Sequence, residues 1–501
     1  MKRRDLLKAA ALIPAAAAVT AAPTQASPMT RKFDEEYDLV IVGSGFAGLA
    51  AAYSANKNGL NKILVIEKMG AFGGNSAICG GIACMPDTPL QKKHGIEDSP
   101  ELLVKDMLKV GRGFNHPELC EAMAKGASTA YEMLMECGVE FKDKLIRLGG
   151  HSAPRGHIPT NASGGGIVVP MHKYLLNKGV KFQNRTNVSA IIRDDANNVC
   201  GVEVQTDFDP NTGSAKGEMT YGSRHGIVIA TGGWGNDKKF VKTTMPAYAN
   251  LKASAQPGAT AEMIKSLLSL GSLPIMLDMY QLGPWGSPDE RPAGPGSFFA
   301  DYAFSEGIAV DPMTGKRFVN ELSSRRTRSE AELEVMKKGT KAKPNYPFTF
   351  CGEETTKRSE GFRAAYRDGA VRKSDSVAEL AKLHGVDETQ LAQTIAEWNE
   401  IVEGKPDPFN KPLDVRTQLK PPFYSFRLSP VLHYCMGGVA ITADAQVVDV
   451  TTCEPINGLF AAGEITGGVH GMDRLGGCSS VDGLVFGQIA GRAAAKYKAN
   501  V

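Results

Sequence analysis

The sequence predicts an α/β fold in which a Rossmann-like dinucleotide-binding domain is interrupted by an inserted α+β domain. From Asp38 to Glu67, an apolar strand runs through Gly43-Ser-Gly45-Phe-Ala-Gly48 into an alanine-rich helix and a second strand. Between about Asp278 and Cys435 the composition changes, with more Pro, Trp, Phe and Tyr. Gly458-Leu-Phe-Ala-Ala-Gly-Glu464 then supplies another glycine-flanked apolar strand. We therefore predict that 33–277 and 436–501 build one nucleotide-binding domain and that 278–435 form a separate capping domain.

The stretch from Asp38 to Glu67 carries the features of a nucleotide-binding βαβ unit. Leu39 to Val42 predict a buried parallel strand, and the glycines serve a tight turn, close approach of the backbone to a pyrophosphate, and close packing of helix on strand. The phosphates are expected at the helix N-terminus, where unpaired N–H groups favour negative charge. Glu67 ends the second strand, 24 residues after Gly43. Its carboxylate can accept hydrogen bonds from both ribose hydroxyls and would repel a 2′-phosphate.

Met1 to Ala26 is predicted to be an export signal. Lys2-Arg3-Arg4-Asp5-Leu6-Leu7-Lys8 precedes an alanine-rich apolar run, and Thr24-Gln25-Ala26 offers a small-residue cleavage site. The arginine pair resembles a twin-arginine signal, which exports folded proteins and so suits a chain that binds its cofactor first. A retained membrane anchor is the alternative, but Pro14 interrupts the run, which is shorter than the roughly 20 residues of a spanning helix. Cleavage, periplasmic release and no stable membrane insertion are therefore expected.

Composition excludes several classes of protein. The formal net charge is +3, and the signal accounts for all of it with four basic residues and one acidic residue, so the mature chain shows no electrostatic footprint for nucleic acid. The nine cysteines are scattered, with no CxxCH for a c-type haem. The nine histidines form no HExxH or HxxEH pattern, so no metal is expected. Cys79 and Cys84 are either a redox pair or buried small residues of a glycine-rich loop.

The rest of the chain predicts further parts of the cofactor site. Gly73-Gly74-Asn75-Ser76 indicates a loop that returns to the cofactor, and Ser163-Gly164-Gly165-Gly166-Ile167 opens a helix. Strands are predicted at 181–182, 188–193 and 199–206 as a meander that leads to Gly226-Ile-Val-Ile-Ala-Thr-Gly-Gly233. Helical patterning is expected at 100–136, 323–338 and 376–404, and Gly476-Gly477 begins the last helix.

Taken together, these motifs resemble one flavoprotein family. GSGFAG, Glu67, GGNS, ATGGWGND, KRFVNELSSR, HYCMGGVAI, LFAAGEITGGVHGMDRLGG and GLVFGQIAGRAAA are similar to the soluble fumarate reductase and flavocytochrome c flavoproteins, which are related to succinate dehydrogenase flavoprotein subunits. The resemblance covers nearly the whole mature chain. It implies non-covalent FAD, a GR2-type FAD-binding domain built from both chain ends, a mobile clamp domain and an active site between the two. Because no haem motif is present, electrons are expected from a separate protein, a periplasmic c-type cytochrome.

The resemblance and the motifs together assign the cofactor-binding residues. They are Gly43, Gly45, Phe46, Ala47, Gly48, Glu67, Lys68, Gly74, Asn75, Ser76, Gly165, Gly166, Thr231, Gly232, Gly233, Glu464, Gly477 and Ser479. Glu464 is expected at the ribityl or ribose part of FAD, with strand-end structural duty as the alternative. His470 is expected to order the flavin loop rather than perform acid–base work.

The chemistry implied is reduction of an activated C=C bond. It requires a hydride at the β carbon, a proton at the α carbon and positive charge at the carboxylate. In the family an arginine in the N-E-[IL]-[ST]-[ST]-R segment donates the proton, and here it is Arg325; a surface ion pair is the alternative. Neighbouring charge from Arg326 and Arg328 is expected to ease its proton loss. Arg474 matches the bidentate clamp on the substrate carboxylate.

Two departures from the family bear on the substrate. The second histidine of H-H-T-M-G-G is Tyr434, expected to donate its O–H to the substrate, whereas His433 is kept, either behind the site or simply packed. The histidine of Q-A-H-P, which holds the far carboxylate of fumarate, is Gly283, and the following Thr-Glu pair is absent. Burying a fumarate carboxylate without that hook would leave a charge unpaired, at a cost of several kcal/mol. Fumarate is therefore disfavoured.

Aromatic residues are expected to line the far end of the substrate pocket. They are Tyr280, Trp285, Phe298, Phe299, Tyr302 and Phe304, with Tyr302 as a substrate-binding residue. The predicted substrate is a monocarboxylate with an aromatic or apolar tail, of cinnamate or urocanate type, or a small enoate such as acrylate or methacrylate. Asp301 or Glu306 is expected to touch a polar tail or replace the proton relay. Fumarate reduction, an acid or 3-ketosteroid dehydrogenase, and a non-enzymatic flavin carrier are the alternatives.

Overall fold

The computed structural model describes residues 32–290, 296–340, 342–359, 361–412 and 417–498. The predicted signal, Met1 to Ala26, lies outside the described residues. The chain from Phe33 onward forms one compact unit, which carries all the elements below. Within the described ranges, no helix is both long enough and apolar enough to cross a membrane.

Fifteen helices are described, and they alternate with short strands along most of the chain. The helices are α1 Phe46–Lys57, α2 Gly74–Ile78, α3 Pro89–Lys93, α4 Pro100–Val110, α5 Pro117–Glu136, α6 Gly165–Asn177, α7 Lys238–Thr244, α8 Glu262–Ser269, α9 Phe299–Glu306, α10 Arg325–Lys337, α11 Glu353–Arg358, α12 Phe362–Arg367, α13 Val377–His384, α14 Glu388–Val402 and α15 Cys478–Lys496, with a 3-10 turn at Pro246–Tyr248.

The described strands form two larger sheets and several smaller ones. The strands are β1 Glu35–Tyr37, β2 Leu39–Val42, β3 Ile63–Ile66, β4 Ala83–Cys84, β5 Phe141–Ile146, β6 Gly156–Pro159, β7 Lys181–Gln183, β8 Asn187–Arg193, β9 Val199–Thr206, β10 Gly217–Ser223, β11 Ile227–Ile229, β12 Pro274–Ile275, β13 Tyr280–Gly283, β14 Ile308–Asp311, β15 Lys316–Arg317, β16 Phe348–Gly352, β17 Val371–Ser374, β18 Phe423–Arg427, β19 Val431–Cys435, β20 Gly438–Val439, β21 Gln446–Val448 and β22 Pro455–Ala461.

The central sheet has the strand order β21-β22-β11-β2-β3-β7. The five strands from β22 to β7 are parallel, and β21 adds an antiparallel edge. Every residue of β2 and β3 is buried and apolar, as expected for parallel strands covered on both faces. The α/β fold and the βαβ unit predicted from the sequence are therefore confirmed.

Helices α1 and α15 pack closely, which joins the two ends of the chain in one core. Small residues make this approach possible, because a Cβ on Gly487 would lie 2.3 Å from the carbonyl oxygen of Ala47. The predicted strands at 181–206 are present, but the expected meander is wrong at its start. Strand β7 joins the central sheet parallel to β3, whereas β8 and β9 join β10 and β1 in a separate four-stranded sheet.

The inserted part has its own sheet and its own core. Its five strands have the antiparallel order β15-β14-β16-β18-β17, and helices α9, α11, α12, α13 and α14 contact them. Two hydrophobic clusters, centred on Phe299 and Phe350, form this core apart from the main one. Strands β13 and β19 pair with each other, and four of their residues, Tyr280, Leu282, Leu432 and Cys435, belong to the main core. The predicted boundaries at 278 and 435 stay predictions.

Candidate functional site

A cavity of about 750 Å³ lies at the carboxyl ends of β2, β3, β11 and β22. This edge of a parallel sheet is where such folds bind nucleotides, and the volume lies in the range of about 300–1,000 Å³ that is typical of ligand pockets. The inserted part closes one side of the cavity. Its contributing residues are Ser297, Phe298, Asp301, Tyr302, Arg325 and Gly361.

One end of the cavity has the geometry of a phosphate site. Gly43 has φ +107°, and a Cβ there would lie 2.2 Å from the carbonyl oxygen of Ala230, so only glycine fits the turn. Helix α1 begins at Phe46 with Gly45 as N-cap; Gly45 has no side chain to cap the helix, and the Phe46 N–H donates to Ser76 Oγ at 2.9 Å. The N-terminal end of α1 therefore offers backbone N–H groups and a positive dipole end to the cavity.

Glu67 lies where β3 ends and lines the same cavity. Its Oε2 accepts a hydrogen bond from Ser44 Oγ at 2.5 Å, and its Oε1 accepts from the Met69 N–H at 2.9 Å. Ser44 Oγ also accepts from the Gly73 N–H at 2.8 Å. Ser44 therefore fixes the carboxylate against the Gly73–Ser76 loop, a role the sequence analysis missed although Ser44 lies within the glycine motif.

Most residues assigned to the cofactor line the cavity. They are Gly43, Gly45, Phe46, Ala47, Glu67, Lys68, Gly74, Asn75, Ser76, Thr231, Gly232, Glu464, Gly477 and Ser479. Thr231 Oγ1 is buried without a hydrogen-bond partner among the described residues. A bound group with polar atoms would satisfy it, so the residues present fit FAD. Burial raises the pKa of Glu464, whose Oε1 accepts from the Cys435 N–H at 2.9 Å.

Four assigned residues lie behind the cavity wall instead. A Cβ on Gly48 would meet the carbonyl oxygen of Gly43, and a Cβ on Gly233 would meet the Glu464 carboxylate. Gly165 and Gly166 begin α6, where Gly166 packs on Asn161. These glycines allow close packing around the site and do not line the cavity.

Arg325 and Arg474 both line the cavity and are tied together by Gln281. Gln281 Oε1 accepts from Arg325 Nη1 at 3.3 Å, and its Nε2 donates to the Arg474 carbonyl oxygen at 2.8 Å. Arg474 is buried, and its Nη1 donates to the Leu475 carbonyl oxygen at 3.1 Å, while its Nε has no partner among the described residues. Two positive groups therefore face one cavity, held by a neutral side chain.

The surroundings of Arg325 weaken its hold on a proton. Burial, with the nearby positive charges of Arg474 and Arg328, lowers its pKa to about 9. Its guanidinium lies 4.8 Å from the ring centre of Trp285. Arg326, which was expected to contribute, forms an ion pair with Glu330 at 2.8 Å. The first residue of α10 thus becomes a guanidinium that can donate a proton near neutral pH.

The expectation that Tyr434 donates its O–H to the substrate stays a prediction, and in this structure the hydroxyl has a protein partner instead. Its hydroxyl donates to Asp482 Oδ2 at 3.2 Å, and His470 Nε2 lies 3.2 Å from the same oxygen. The Arg474 guanidinium lies 4.7 Å from the ring centre of Tyr434. Burial, followed by the charge of Asp482, raises the pKa of Tyr434 well above its usual value. Tyr434 therefore offers Arg474 an aromatic face.

His433 lines the cavity beside Tyr434. Its Nδ1 lies 2.8 Å from Ser254 Oγ, and its ring meets Trp285 edge to face at 4.8 Å. Burial, with the charges of Arg325 and Arg474, holds the pKa of His433 well below its usual value. A neutral imidazole next to the two arginines is the consequence.

The predicted aromatic lining is largely absent. Of the six residues, only Phe298 and Tyr302 line the described cavity. Tyr280 accepts from Trp234 Nε1 at 2.9 Å, and Phe299 and Phe304 belong to the core of the insert. Trp285 is buried and fills the space beside Gly283, where an added Cβ would lie 2.6–2.9 Å from its ring atoms. The site of the missing histidine is thus occupied by an indole ring.

The two candidate acids near the substrate end differ in position. Asp301 lines the cavity and lies 3.6 Å from Arg328 Nη1. Glu306 is buried elsewhere, where it accepts from Thr355 Oγ1 at 2.7 Å and from Arg358 Nε at 2.8 Å. Only Asp301 therefore remains as a candidate for contact with a substrate tail or for proton supply.

Other expectations concern thiols and metals. Cys79 and Cys84 are free thiols, with Cys79 in the cavity wall and Cys84 buried against Gly477. In the described ranges, no group of three or more His, Cys, Asp or Glu side chains has a metal-binding arrangement. Besides Ser44, the sequence analysis missed Gln281 and Asp482 as residues that orient the site. Of the last two, only Gln281 had a signal in the sequence, because it belongs to the Q-A-H-P segment.

Comparison with known proteins extends the similarity beyond the nucleotide motif. The model of the FAD binding domain family matches residues 38–480. The chain is 37% identical over 500 residues to the acrylate reductase flavoprotein subunit of Shewanella woodyi, covering 98% of this chain and 97% of that protein. It is 30% identical over 472 residues to urocanate reductase of Eggerthella lenta, covering 92% and 75%. The open conformation of a flavocytochrome c3 fumarate reductase matches with TM-score 0.78 at 30% identity, covering 92% of this chain and 78% of that one.

Proposed function

We propose that this chain, which belongs to the FAD binding domain family and is an FAD-dependent reductase of C=C bonds, acts on a small α,β-unsaturated monocarboxylate of the acrylate type. The resemblance predicted from the motifs is confirmed, and with it FAD as the cofactor. The finer statements on substrate, residue roles, electron donor and location are our proposals. Non-covalent attachment of FAD is one of them.

One observation carries the choice of substrate. Position 283 is a glycine, and the ring of Trp285 occupies the space beside it. This position therefore supplies no group that could bind a second carboxylate. Apart from Arg325, the charged residue of the insert that lines the described cavity is Asp301, whose carboxylate would repel a second substrate carboxylate. A substrate with one carboxylate and a short tail suits this end of the cavity, in agreement with the relative named acrylate reductase.

The two arginines have separate roles in the proposed reaction. The planar guanidinium of Arg474, fixed against the Tyr434 ring, binds the substrate carboxylate and stabilises the negative charge that develops on it. Reduced FAD, when bound, supplies a hydride for the β carbon of the substrate. Arg325 donates the proton to the α carbon, and its lowered pKa favours this donation. Asp301 and Arg328 take the place of the absent Thr-Glu pair in returning a proton to Arg325.

A second candidate substrate is urocanate. Asp301 could accept a hydrogen bond from an imidazole N–H at the tail, and a relative named urocanate reductase covers most of the chain. Cinnamate has no such polar group, and of the six aromatic residues expected at the tail end only Phe298 and Tyr302 line the described cavity.

A panel of enoates assayed with reduced methyl viologen tests the proposal. Acrylate and methacrylate are expected to have the highest kcat/KM, followed by urocanate, with cinnamate and fumarate last. A fumarate rate above all others would refute the argument from Trp285. Reduction of the flavin by saturated acids without reoxidation by any enoate would instead indicate a dehydrogenase.

We also propose that the enzyme works in the periplasm and receives electrons from a separate c-type cytochrome. The twin-arginine segment Lys2-Arg3-Arg4 and the absence of CxxCH from the sequence support this. Cell fractionation of the full chain and of an Arg3→Lys, Arg4→Lys double variant tests the location. Equal periplasmic amounts of both proteins would show that export does not depend on the arginine pair.

A further inference from the structure

The cavity reaches solvent at a place that the insert does not cover. Of the residues that line it, Ile78 is 38% exposed, and Gly80 and Lys144 are also exposed. All three belong to the part of the chain before the insert. Lys142, Ile146 and Ile158 continue the lining at the same place. We call the surface formed by Ile78, Gly80, Lys142, Lys144 and Ile146 the port.

The port has an apolar centre and an unpaired positive rim. Lys142, Lys144 and Ile146 alternate along β5, the edge strand of the three-stranded sheet β4-β6-β5, and all three face the cavity. Among the described residues, neither lysine has a carboxylate partner. Asp143, between them, forms an ion pair with Lys93 at 2.7 Å, and its other oxygen lies 2.9 Å from His94 Nε2. The Asp143 carboxylate thus pairs with a lysine outside the port. Lys142 and Lys144 are left to interact with an external partner.

We propose that the port is the docking surface of the electron donor, a carrier protein whose own redox group lies in an acidic face. This inference rests on the proposed function, because reduction of each C=C bond consumes two electrons and two protons. A carrier that loses one electron per encounter must therefore dock twice for each substrate molecule. Complementary charge accelerates such encounters by about 10- to 1,000-fold at low ionic strength, and an apolar centre excludes water between the partners.

The other groups that a cationic surface attracts have their own sites. The cofactor phosphates belong at the N-terminal end of α1, beside Gly43 and Gly45. The substrate carboxylate belongs at Arg474, which Gln281 links to Arg325 of the insert. Neither site needs Lys142 or Lys144.

Charge reversal at the port tests this. In the FAD-loaded enzyme, Lys142→Glu combined with Lys144→Glu is expected to lower kcat/KM for reduced flavodoxin, an acidic one-electron carrier, about tenfold or more at low ionic strength. Raising the salt concentration should slow the wild type and not the variant. Acrylate turnover with reduced methyl viologen, and the FAD content, should stay within about twofold of wild type. Lys239→Glu with Lys382→Glu, two exposed lysines outside the cavity lining, is the matched control.

Each other result overturns the proposal in its own way. An unchanged flavodoxin rate means that the donor docks elsewhere. A raised acrylate KM in the viologen assay assigns the lysines to substrate entry, and a loss of FAD assigns them to the cofactor. Equal loss in the control pair means a general charge effect. Failure of the proposed function is distinct, because wild type would then show no viologen-driven acrylate turnover. Ile78→Ser, at the apolar centre, should weaken the flavodoxin reaction alone.

Discussion

Removing the hydroxyl of Tyr434 separates two roles for this residue. If the hydroxyl donated to the substrate carboxylate, Tyr434→Phe would lose a hydrogen bond to a charged group. Such a bond contributes about 1.5–3 kcal/mol, or about 10- to 150-fold in kcat/KM. In the structure the hydroxyl donates to Asp482 instead, 3.2 Å away. We therefore expect kcat/KM for acrylate to change by less than about threefold.

The loss should appear in stability. Asp482 is buried, and its Oδ1 has no partner among the described residues, so Tyr434→Phe leaves His470 as its remaining described hydrogen-bond partner. Weakening the satisfaction of a buried carboxylate costs about 1–3 kcal/mol in the free energy of unfolding. Urea unfolding of the FAD-loaded enzyme measures this change, and viologen-linked acrylate reduction measures the kinetics.

A second variant tests the aromatic face itself. Tyr434→Leu removes the ring under Arg474, so a cation–π contact of about 0.5–2 kcal/mol is lost, and KM for acrylate should rise by about 2- to 30-fold. If Tyr434→Phe instead lowers kcat/KM more than tenfold with unchanged unfolding, the hydroxyl meets the substrate and our assignment is wrong.

The remaining predictions concern Arg325, Asp301 and Trp285. Arg325→Ala should lower kcat by about 100- to 10,000-fold with FAD still bound. Wild-type kcat should fall as the pH rises through about 9, because Arg325 loses its proton there. A rate that keeps rising above about pH 10 contradicts this assignment. Because the charge of Asp301 raises the pKa of Arg325, Asp301→Asn should move the alkaline fall in kcat to lower pH. A shift to higher pH would show that Asp301 does not act on Arg325. Trp285→Leu should open the space beside Gly283 and raise kcat/KM for methacrylate relative to acrylate; the ratio is the readout, since truncation of a buried tryptophan itself costs about 3–5 kcal/mol at its largest. An unchanged ratio would show that the indole does not limit the pocket.

The nucleotide half of the molecule could be predicted because its determinants are local. Leu39–Val42 are four apolar residues in a row, which predicts a buried strand, and the glycines that follow from Gly43 predict the turn into a helix. All of these residues lie within one βαβ unit. The sequence analysis did not predict the packing of α1 on α15, although Gly487 and Gly491 on the last helix permit it. In contrast, the placement of β7 in the central sheet depends on pairing with β3, which a short apolar segment does not specify.

The orientation of Tyr434 could not be predicted for a different reason. The motif identifies which residue stands at the position, but its hydroxyl turns toward Asp482, 48 residues later on α15. Gln281 likewise depends on atoms far along the chain, since it meets Arg325 and Arg474 only in the fold. Hydrogen-bond partners of buried polar groups are set by tertiary packing, so a sequence names the donor without its acceptor.

Gly283 shows how the loss of a side chain misleads a prediction from sequence. Replacing a histidine by glycine suggests a wider pocket, and the aromatic residues nearby then suggest a flat substrate tail. Protein interiors are close-packed, however, so the space left at one position is filled from another. Here Trp285, two residues further on, lies against Gly283 and under Arg325, and its edge meets His433. The loss of the histidine therefore removes the second carboxylate hook without leaving empty space beside Gly283, which favours a substrate with one carboxylate.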